Sequence, residues 1–159
     1  VVLEVLARLK KVIPNVALLR VGADFFDDEN DIVAALGLRG DVFHLGRVSE
    51  ADLRAVYRFA NVLHFPSLYE GFGWPVLEAM ASGCPILASD RASLPEVVGN
   101  PDYTADPDDI DIQVDKLQRL IMDGEYRATA VSHGLERASH FSWDATANAC
   151  VNVYANVLR

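Results

Sequence analysis

Apolar residues alternate between helical and strand spacing along the first hundred positions. Apolar positions in 2–13 recur at helical spacing and Pro14 ends that helix, whereas the run VALLRVG at 16–22 predicts a short buried strand. The same reasoning predicts further helices over 31–36, 49–59, 75–82 and a short one from Ser93, and further strands over 41–45, 62–66 and 86–89.

This order of elements predicts the fold class. Strands that alternate with helices pair in parallel and are covered by helices on both faces. We therefore predict an α/β fold, a three-layer Rossmann-like parallel sheet whose ligand site lies beyond the carboxyl ends of its strands. After Asp106 the pattern is helical only, over 108–122, 126–139 and 143–158, which predicts a helical C-terminal layer or tail. No repeat or linker interrupts the chain, so we expect one domain over 1–159.

Composition and charge reduce the number of function classes that fit this chain. The 159 residues are 51% hydrophobic, sufficient for one core, and the net charge of −9 disfavours nucleic-acid binding, which requires clustered Lys and Arg. No apolar run approaches the roughly 18 residues that span a bilayer, and the N-terminus resembles a cut through a longer protein rather than a signal peptide. We expect a soluble, cytoplasmic protein with Cys84 and Cys150 reduced and buried.

Candidate chemistry is concentrated in the segment 65–78, FPSLYEGFGWPVLE, which follows a predicted strand and opens a predicted helix. Its Gly-Phe-Gly turn permits unusual backbone angles and close approach, and Pro75 suits the first helical position. Free amides and the helix dipole at that point attract a phosphate. Glu70 and Glu78 bracket the site, and their carboxylates accept hydrogen bonds from hydroxyls. Together these groups suit a sugar nucleotide.

Each of these groups has an ordinary explanation when it is taken alone. Glu78 near a helix start is favoured by the helix dipole without any ligand. Glu70 alone is typical of a solvated loop charge, and a Gly-X-Gly turn alone is a weak signal. The combination of the groups favours a ligand site.

Other polar residues do not require a site. His44 and His64 lie in apolar strands and are predicted to be structural, whereas His133 and His140 are predicted to be exposed on the helical tail. The acidic run at 24–29 lacks regular ligand spacing and favours a solvated loop. We therefore expect no metal and no cofactor.

The segment 65–78 also carries a family resemblance. Two glutamates separated by seven residues, with Gly-Phe-Gly after the first and PVLEAMASG running through the second, resemble the signature of glycosyltransferase family 4, which has the two-domain GT-B architecture. The resemblance extends, in the family's order, to 42–49, to Leu53, Tyr57 and Ala60, and to 85–89 and 94–99. It implies that the chain is the C-terminal, donor-binding half of a GT-B fold.

The resemblance also implies residue roles. Glu70 would contact hydroxyls of the donor sugar, as the catalytic-site residue, and Glu78 would bind the ribose hydroxyls. The remaining implied contacts are Gly71, Phe72 and Gly73 to the sugar, Trp74, Pro75 and Val76 beside the diphosphate, and Gly46, Arg47 and Val48 to the base. A solvated Arg47 without a specific role is an equal alternative.

The implied reaction is retaining transfer of a sugar from a UDP-, GDP- or ADP-sugar to an acceptor hydroxyl, with electrostatic stabilisation of the leaving diphosphate and no covalent residue. Trp74 replaces an aliphatic residue common in the family. The family's N-terminal acceptor domain and its basic pair are absent from this sequence, so we expect weak donor binding and little turnover by the chain alone. The full-length enzyme would be cytoplasmic, with peripheral association at the inner membrane face left open.

Several alternatives remain at this stage. A binding module that has lost catalysis and a GT-B epimerase of sugar nucleotides both fit the resemblance. A retaining glycosidase with Glu70 as nucleophile is disfavoured, because a phosphate-binding helix start separates the two carboxylates. A flavodoxin-like receiver domain leaves the Gly-Phe-Gly-Trp-Pro loop unexplained.

Overall fold

Helices and strands alternate along the first two thirds of the chain in the order that the apolar pattern predicts. The computed structural model describes residues 1–23 and 27–157, with the side chains of 27 and 28 left out. The helices are α1 Val2–Leu9, α2 Asp27–Ala35, α3 Glu50–Phe59, α4 Trp74–Ala81, α5 Leu94–Val98, α6 Ile110–Met122, α7 Gly124–Ser139 and α8 Trp143–Val157. The strands are β1 Leu18–Arg20, β2 Val42–His44, β3 Leu63–Phe65, β4 Ile86–Ser89 and β5 Thr104–Ala105.

The strand pairs that the described residues form are all parallel, as predicted. β1 pairs with β2, so that Leu18 lies opposite Val42. β3, β4 and β5 form a second group in that order, and Leu63 lies opposite Ile86. All four residues of β4 are buried, which is typical of a strand covered on both faces. The loops that follow these strands therefore leave each group of strands at one edge.

The main core lies around β4 and the helices beside it. Val76, Ala79 and Met80 of α4 are fully buried against this strand group. α7 packs closely on α4 because Gly134 has no side chain: a Cβ there would lie 3.2 Å from Met80 Cγ. This packing fixes the position of α4, the helix that carries Glu78.

The structure differs from the sequence predictions at several points. α2 begins at Asp27, so much of the acidic run expected to be a loop is helical, while Asp24 lies outside the described residues. The short 3-10 turn Pro101–Tyr103 and the two-residue strand β5 are too short to produce a periodic pattern, and the sequence did not predict them. Cys84 is buried but Cys150 is exposed on α8, and both are free.

The histidines agree in part with expectation. His44 Nε2 lies 3.2 Å from the Gly22 carbonyl, and exposed His140 matches its prediction. His133 does not: it is half-buried, lies 2.8 Å from the Val98 carbonyl and packs on the Tyr103 ring. The helical periodicity of α7 placed it on the helix but could not show that α5 covers it.

His64 forms part of a structural polar cluster. Its Nε2 lies 2.8 Å from Oε1 of fully buried Gln113, whose amide nitrogen donates to the carbonyls of Asp106, Pro107 and Asp109. Burial lowers the pKa of His64, so the ring is held neutral and donates to Gln113. The prediction that His64 is structural is confirmed.

Gln113→Ala is expected to lower the free energy of unfolding by about 3 kcal/mol, because among the described residues it leaves the His64 ring N–H and the Pro107 carbonyl without partners. Gln118→Ala, on the same helix and only half-buried, is the matched control and should change stability by less than about 1 kcal/mol. Urea unfolding at pH 7 measures both. Equal effects of the two substitutions would contradict the structural role of the cluster.

The C-terminal helices confirm the predicted helical layer and tail. α6 packs on α1 and α7 packs on α4, whereas all residues of α8 are exposed. None of the helices within the described part of the chain is both long and apolar enough to cross a membrane.

Candidate functional site

The start of α4 is shaped by Gly73. This residue is the N-cap of the helix and has φ +100° and ψ 48°, a left-handed conformation that residues other than glycine rarely adopt. The helix begins at Trp74, so Pro75 is its second residue rather than the first. Pro75 still lies in the first turn, where its missing N–H leaves no helical bond unmade.

Several backbone amides at this turn have no hydrogen-bond partner within the part of the chain that the structure describes. The Val76 and Leu77 amides both donate to the Gly73 carbonyl, at 3.0 and 3.3 Å. Within 1–23 and 27–157, by contrast, the amides of 71–74 donate no hydrogen bond. These amides, rather than that of Val76, are the donors left for an anion at the positive end of the helix.

Residues at the start of α5 hydrogen-bond to the glycine-rich loop and pack against it. The Ser93 hydroxyl donates to the carbonyls of Glu70 and Phe72, at 2.9 and 3.1 Å. The buried Leu94 side chain lies directly against Gly73, where an added Cβ would come within 2.5 Å of Leu94 Cδ2. A Cβ at Gly71, by contrast, would meet nothing within 4 Å. One glycine is therefore required by the fold, and the other borders open space.

Both glutamates lie at this loop and helix, as predicted, and each accepts a hydrogen bond from a hydroxyl. Half-buried Glu70 accepts at Oε1 from Ser67, at 3.0 Å. Glu78 is the fifth residue of α4 and is exposed, and its Oε2 accepts from the Tyr57 hydroxyl at 3.2 Å. Each carboxylate has a second oxygen for which no protein hydrogen bond is recorded within the described residues.

Tyr57 and Ser67 received no role from sequence reasoning. Tyr57 is 8% exposed, and its ring belongs to the main core. Burial, with the adjacent Glu78 carboxylate, raises the pKa of the Tyr57 phenol well above its usual range. The phenol therefore keeps its proton and donates to Glu78. The signal in the sequence was the Tyr57 position in the family resemblance, but spacing alone could not show that α3 and α4 bring it to Glu78.

The predicted base-binding segment 46–48 occupies the loop after β2. Gly46 has φ +66°, and its carbonyl accepts from the Gly22 amide at 2.9 Å, so the loops after β1 and β2 meet. Arg47 is exposed and Val48 is half-buried. No hydrogen bond or ion pair among the described residues joins this segment to 70–76 directly. The two segments are connected through α3, which begins just after Val48 and places the Tyr57 hydroxyl within hydrogen-bond distance of Glu78.

Trp74 has a structural setting that the sequence did not reveal. Its ring lies 4.9 Å from that of Phe72 and 5.8 Å from that of Trp143, and Phe72 also packs edge-on against Phe141. These four aromatic rings connect the glycine-rich loop with the junction of α7 and α8. Trp74 remains 51% exposed.

Comparison with known proteins identifies the class to which this fold and site belong. The family model described as glycosyl transferases group 1 matches residues 1–137. The chain is 38% identical over 130 residues to the O-antigen chain mannosyltransferase B of Escherichia coli, covering 79% of this chain and 34% of that protein. The chain belongs to the glycosyl transferases group 1 family.

Solved structures show the same fold. Sucrose-phosphate synthase from Thermosynechococcus elongatus superposes with a TM-score of 0.83 at 30% identity, over 98% of this chain and 42% of that one. Anabaena HepE in complex with UDP and glucose superposes with a TM-score of 0.80 at 22% identity, over 98% and 43%. The predicted C-terminal half of a GT-B fold is confirmed. The chain thus spans less than half the length of these proteins.

Proposed function

We propose that the chain is the donor-binding part of a retaining glycosyltransferase that moves a sugar from a nucleoside diphosphate to an acceptor hydroxyl. The observation that carries the proposal is the row of amides at 71–74 that have no hydrogen-bond partner among the described residues, placed at a helix N-terminus between two hydroxyl-bonded carboxylates. The UDP and glucose bound to HepE, which has the same fold, support a sugar-nucleotide ligand.

Different residues of the site bind different parts of the sugar nucleotide. The amides of 71–74 and the α4 dipole stabilise the charge that develops on the departing diphosphate, a role that fixed dipoles perform without reorganisation. Glu70 accepts hydrogen bonds from hydroxyls of the sugar, and Glu78 accepts them from the ribose. The acceptor attacks on the face that the diphosphate leaves, so retention requires no covalent residue. Gly46, Arg47 and Val48 border the base.

The proposal includes a longer protein with a separate acceptor domain. Within the described residues, β1 and β3 each have one edge without a strand partner. A doubly wound sheet has the strand order 3-2-1-4-5-6, and the pairs observed here correspond to 3-2 and 4-5-6. A further strand between β1 and β3 would complete this order. The full-length enzyme would work in the cytoplasm, with peripheral contact at the inner face of the membrane as part of the proposal.

Titration of the isotope-labelled chain with UDP, GDP and ADP, and with their mannose and glucose conjugates, tests donor binding. Mannose is included because the E. coli relative is named as a mannosyltransferase. We expect amide shifts at 71–74 and 46–48 for one nucleotide series, and none at Gly124, the exposed start of α7. Absence of any shift at millimolar ligand would contradict the proposal.

The full-length enzyme separates the remaining alternatives. A glycosylated acceptor supports transfer, release of the free epimer would identify an epimerase, and donor binding without either product would identify a module that has lost catalysis. NMR or mass spectrometry of the products distinguishes the three outcomes, and the anomeric configuration of the glycoside tests retention.

A further inference from the structure

We propose that Tyr57 is a positioning residue for the nucleotide ribose: its hydroxyl holds one oxygen of Glu78 so that the other oxygen accepts from the ribose hydroxyls. The inference rests on the proposed function, which gives Glu78 a ribose ligand. It adds a residue on a different helix that fixes the orientation of the carboxylate before the nucleotide arrives.

The contact joins a buried donor to an exposed acceptor. The Tyr57 hydroxyl lies 3.2 Å from Glu78 Oε2, and the tyrosine is only 8% exposed whereas Glu78 faces solvent. A carboxylate has about four acceptor sites, so one bond from Tyr57 leaves Oε1 and part of Oε2 available. A ribose diol presents two hydroxyls to one carboxylate. Tyr57 thus restricts the rotation of Glu78 without filling its binding capacity.

Tyr57 is well fixed for this task. α3 is capped by Ser49, which accepts from the Asp52 amide at 3.2 Å, and Leu53 and Ala60 pack against the core that contains the Tyr57 ring. Burial, together with the Glu78 carboxylate, raises the phenol pKa, so the hydroxyl remains a donor throughout the neutral range. The Tyr57 ring is therefore fixed in the core, and its hydroxyl is the group that contacts Glu78.

Preorganisation is the physical reason for an effect on binding. A free glutamate side chain loses rotamer freedom when it binds a diol, and this cost lowers affinity. A side chain already held by a hydrogen bond loses less. Removal of the Tyr57 hydroxyl should therefore weaken only interactions made through Glu78, whereas a purely structural tyrosine would affect every ligand of the site alike.

The test uses the full-length enzyme with UDP, GDP and ADP and with their 2′,3′-dideoxy forms, which lack both ribose hydroxyls. Tyr57→Phe keeps the ring and removes the hydroxyl. For the nucleotide that binds, we expect Kd to rise about tenfold for the ribose form and to stay unchanged for the dideoxy form. Isothermal titration calorimetry measures both constants.

Two further variants make the result specific. Tyr103→Phe is the matched control, since Tyr103 is also a buried core tyrosine and packs on Tyr126 and His133 away from Glu78. It should leave both constants unchanged. Glu78→Gln should also reduce the preference for ribose, and Tyr57→Phe should add nothing in that background.

The outcomes are distinct. Equal weakening of ribose and dideoxy forms by Tyr57→Phe would make Tyr57 merely structural, and an unchanged preference for ribose would overturn the inference while donor binding stands. If the wild-type enzyme binds a nucleotide but does not prefer its ribose form, Glu78 has no ribose ligand and the inference fails. If the wild-type enzyme binds none of the six nucleotides, the proposed function fails and the inference fails with it.

Discussion

Replacing Glu70 by glutamine in the full-length enzyme is expected to lower the rate of sugar transfer on the order of 100-fold, with nucleoside diphosphate affinity nearly unchanged. Glutamine retains the shape and one acceptor oxygen, so the 3.0 Å contact with the Ser67 hydroxyl can persist. In the proposed mechanism, it removes the negative charge beside the sugar, where an oxocarbenium-like transition state would develop positive charge. The charge therefore matters more in the transition state than in the ground state.

Measurements of kcat for transfer and of Kd for UDP, GDP and ADP separate these effects. Glu136→Gln, an exposed carboxylate on α7, is the matched control and should retain wild-type rates. Ser67→Ala should lower kcat by a smaller factor, since it loosens Glu70 but keeps its charge. Wild-type transfer activity in Glu70→Ala would show that the assignment of Glu70 is wrong.

Gly73→Ala is expected to destabilise the fold by roughly 2 to 5 kcal/mol. Alanine at φ +100° is strained, and its Cβ would lie 2.5 Å from Leu94 Cδ2 in a fully buried part of the core. A loss of this size is a large part of the 5 to 15 kcal/mol typical of a native protein. Thermal and urea unfolding should both show it, and binding should be lost as the loop rearranges.

Gly71→Ala is the matched comparison two residues away. No atom lies within 4 Å of the Cβ it would add, and its φ is not left-handed, so stability should change by less than about 1 kcal/mol. The new methyl group borders the free amides, and donor affinity should fall about tenfold or more. Equal stability losses in the two variants would contradict the division between a glycine required by packing and one required by the ligand.

The site was partly predictable because its components are close in sequence. Glu70, the glycine-rich turn and Glu78 lie within nine residues that join a strand to a helix, so the strand-to-helix pattern alone places them together. Two details differed within this segment. The helix begins one residue earlier than predicted, and the Val76 amide is bonded to Gly73, which moves the free donors to 71–74. Hydrogen-bond partners at a helix end depend on the backbone angles there. Residue type favours certain angles but does not determine them.

Contacts between distant segments could not be predicted in the same way. Ser93 reaches the loop from more than twenty residues away, and Tyr57 reaches Glu78 from a different helix. The half-buried state of His133 and the exposure of Cys150 follow from which helices have neighbours: α5 covers part of α7, while α8 has no buried residue. Local periodicity describes the face of a helix but does not identify what packs against it.

The sequence by itself determined the alternation of elements, the parallel fold class and the segment that bears the two glutamates, because these depend on local apolar spacing and on short-range backbone preferences. The tertiary structure decided which groups in that segment are free to bind. It showed that Gly73 packs against Leu94, that the amides of 71–74 have no hydrogen-bond partner in the described ranges, and that Ser67 and Tyr57 each donate to one oxygen of a glutamate. The reason is physical: packing and hydrogen-bond partners are set by approach in space, and residues far apart in the chain meet only once the helices are placed on the sheet.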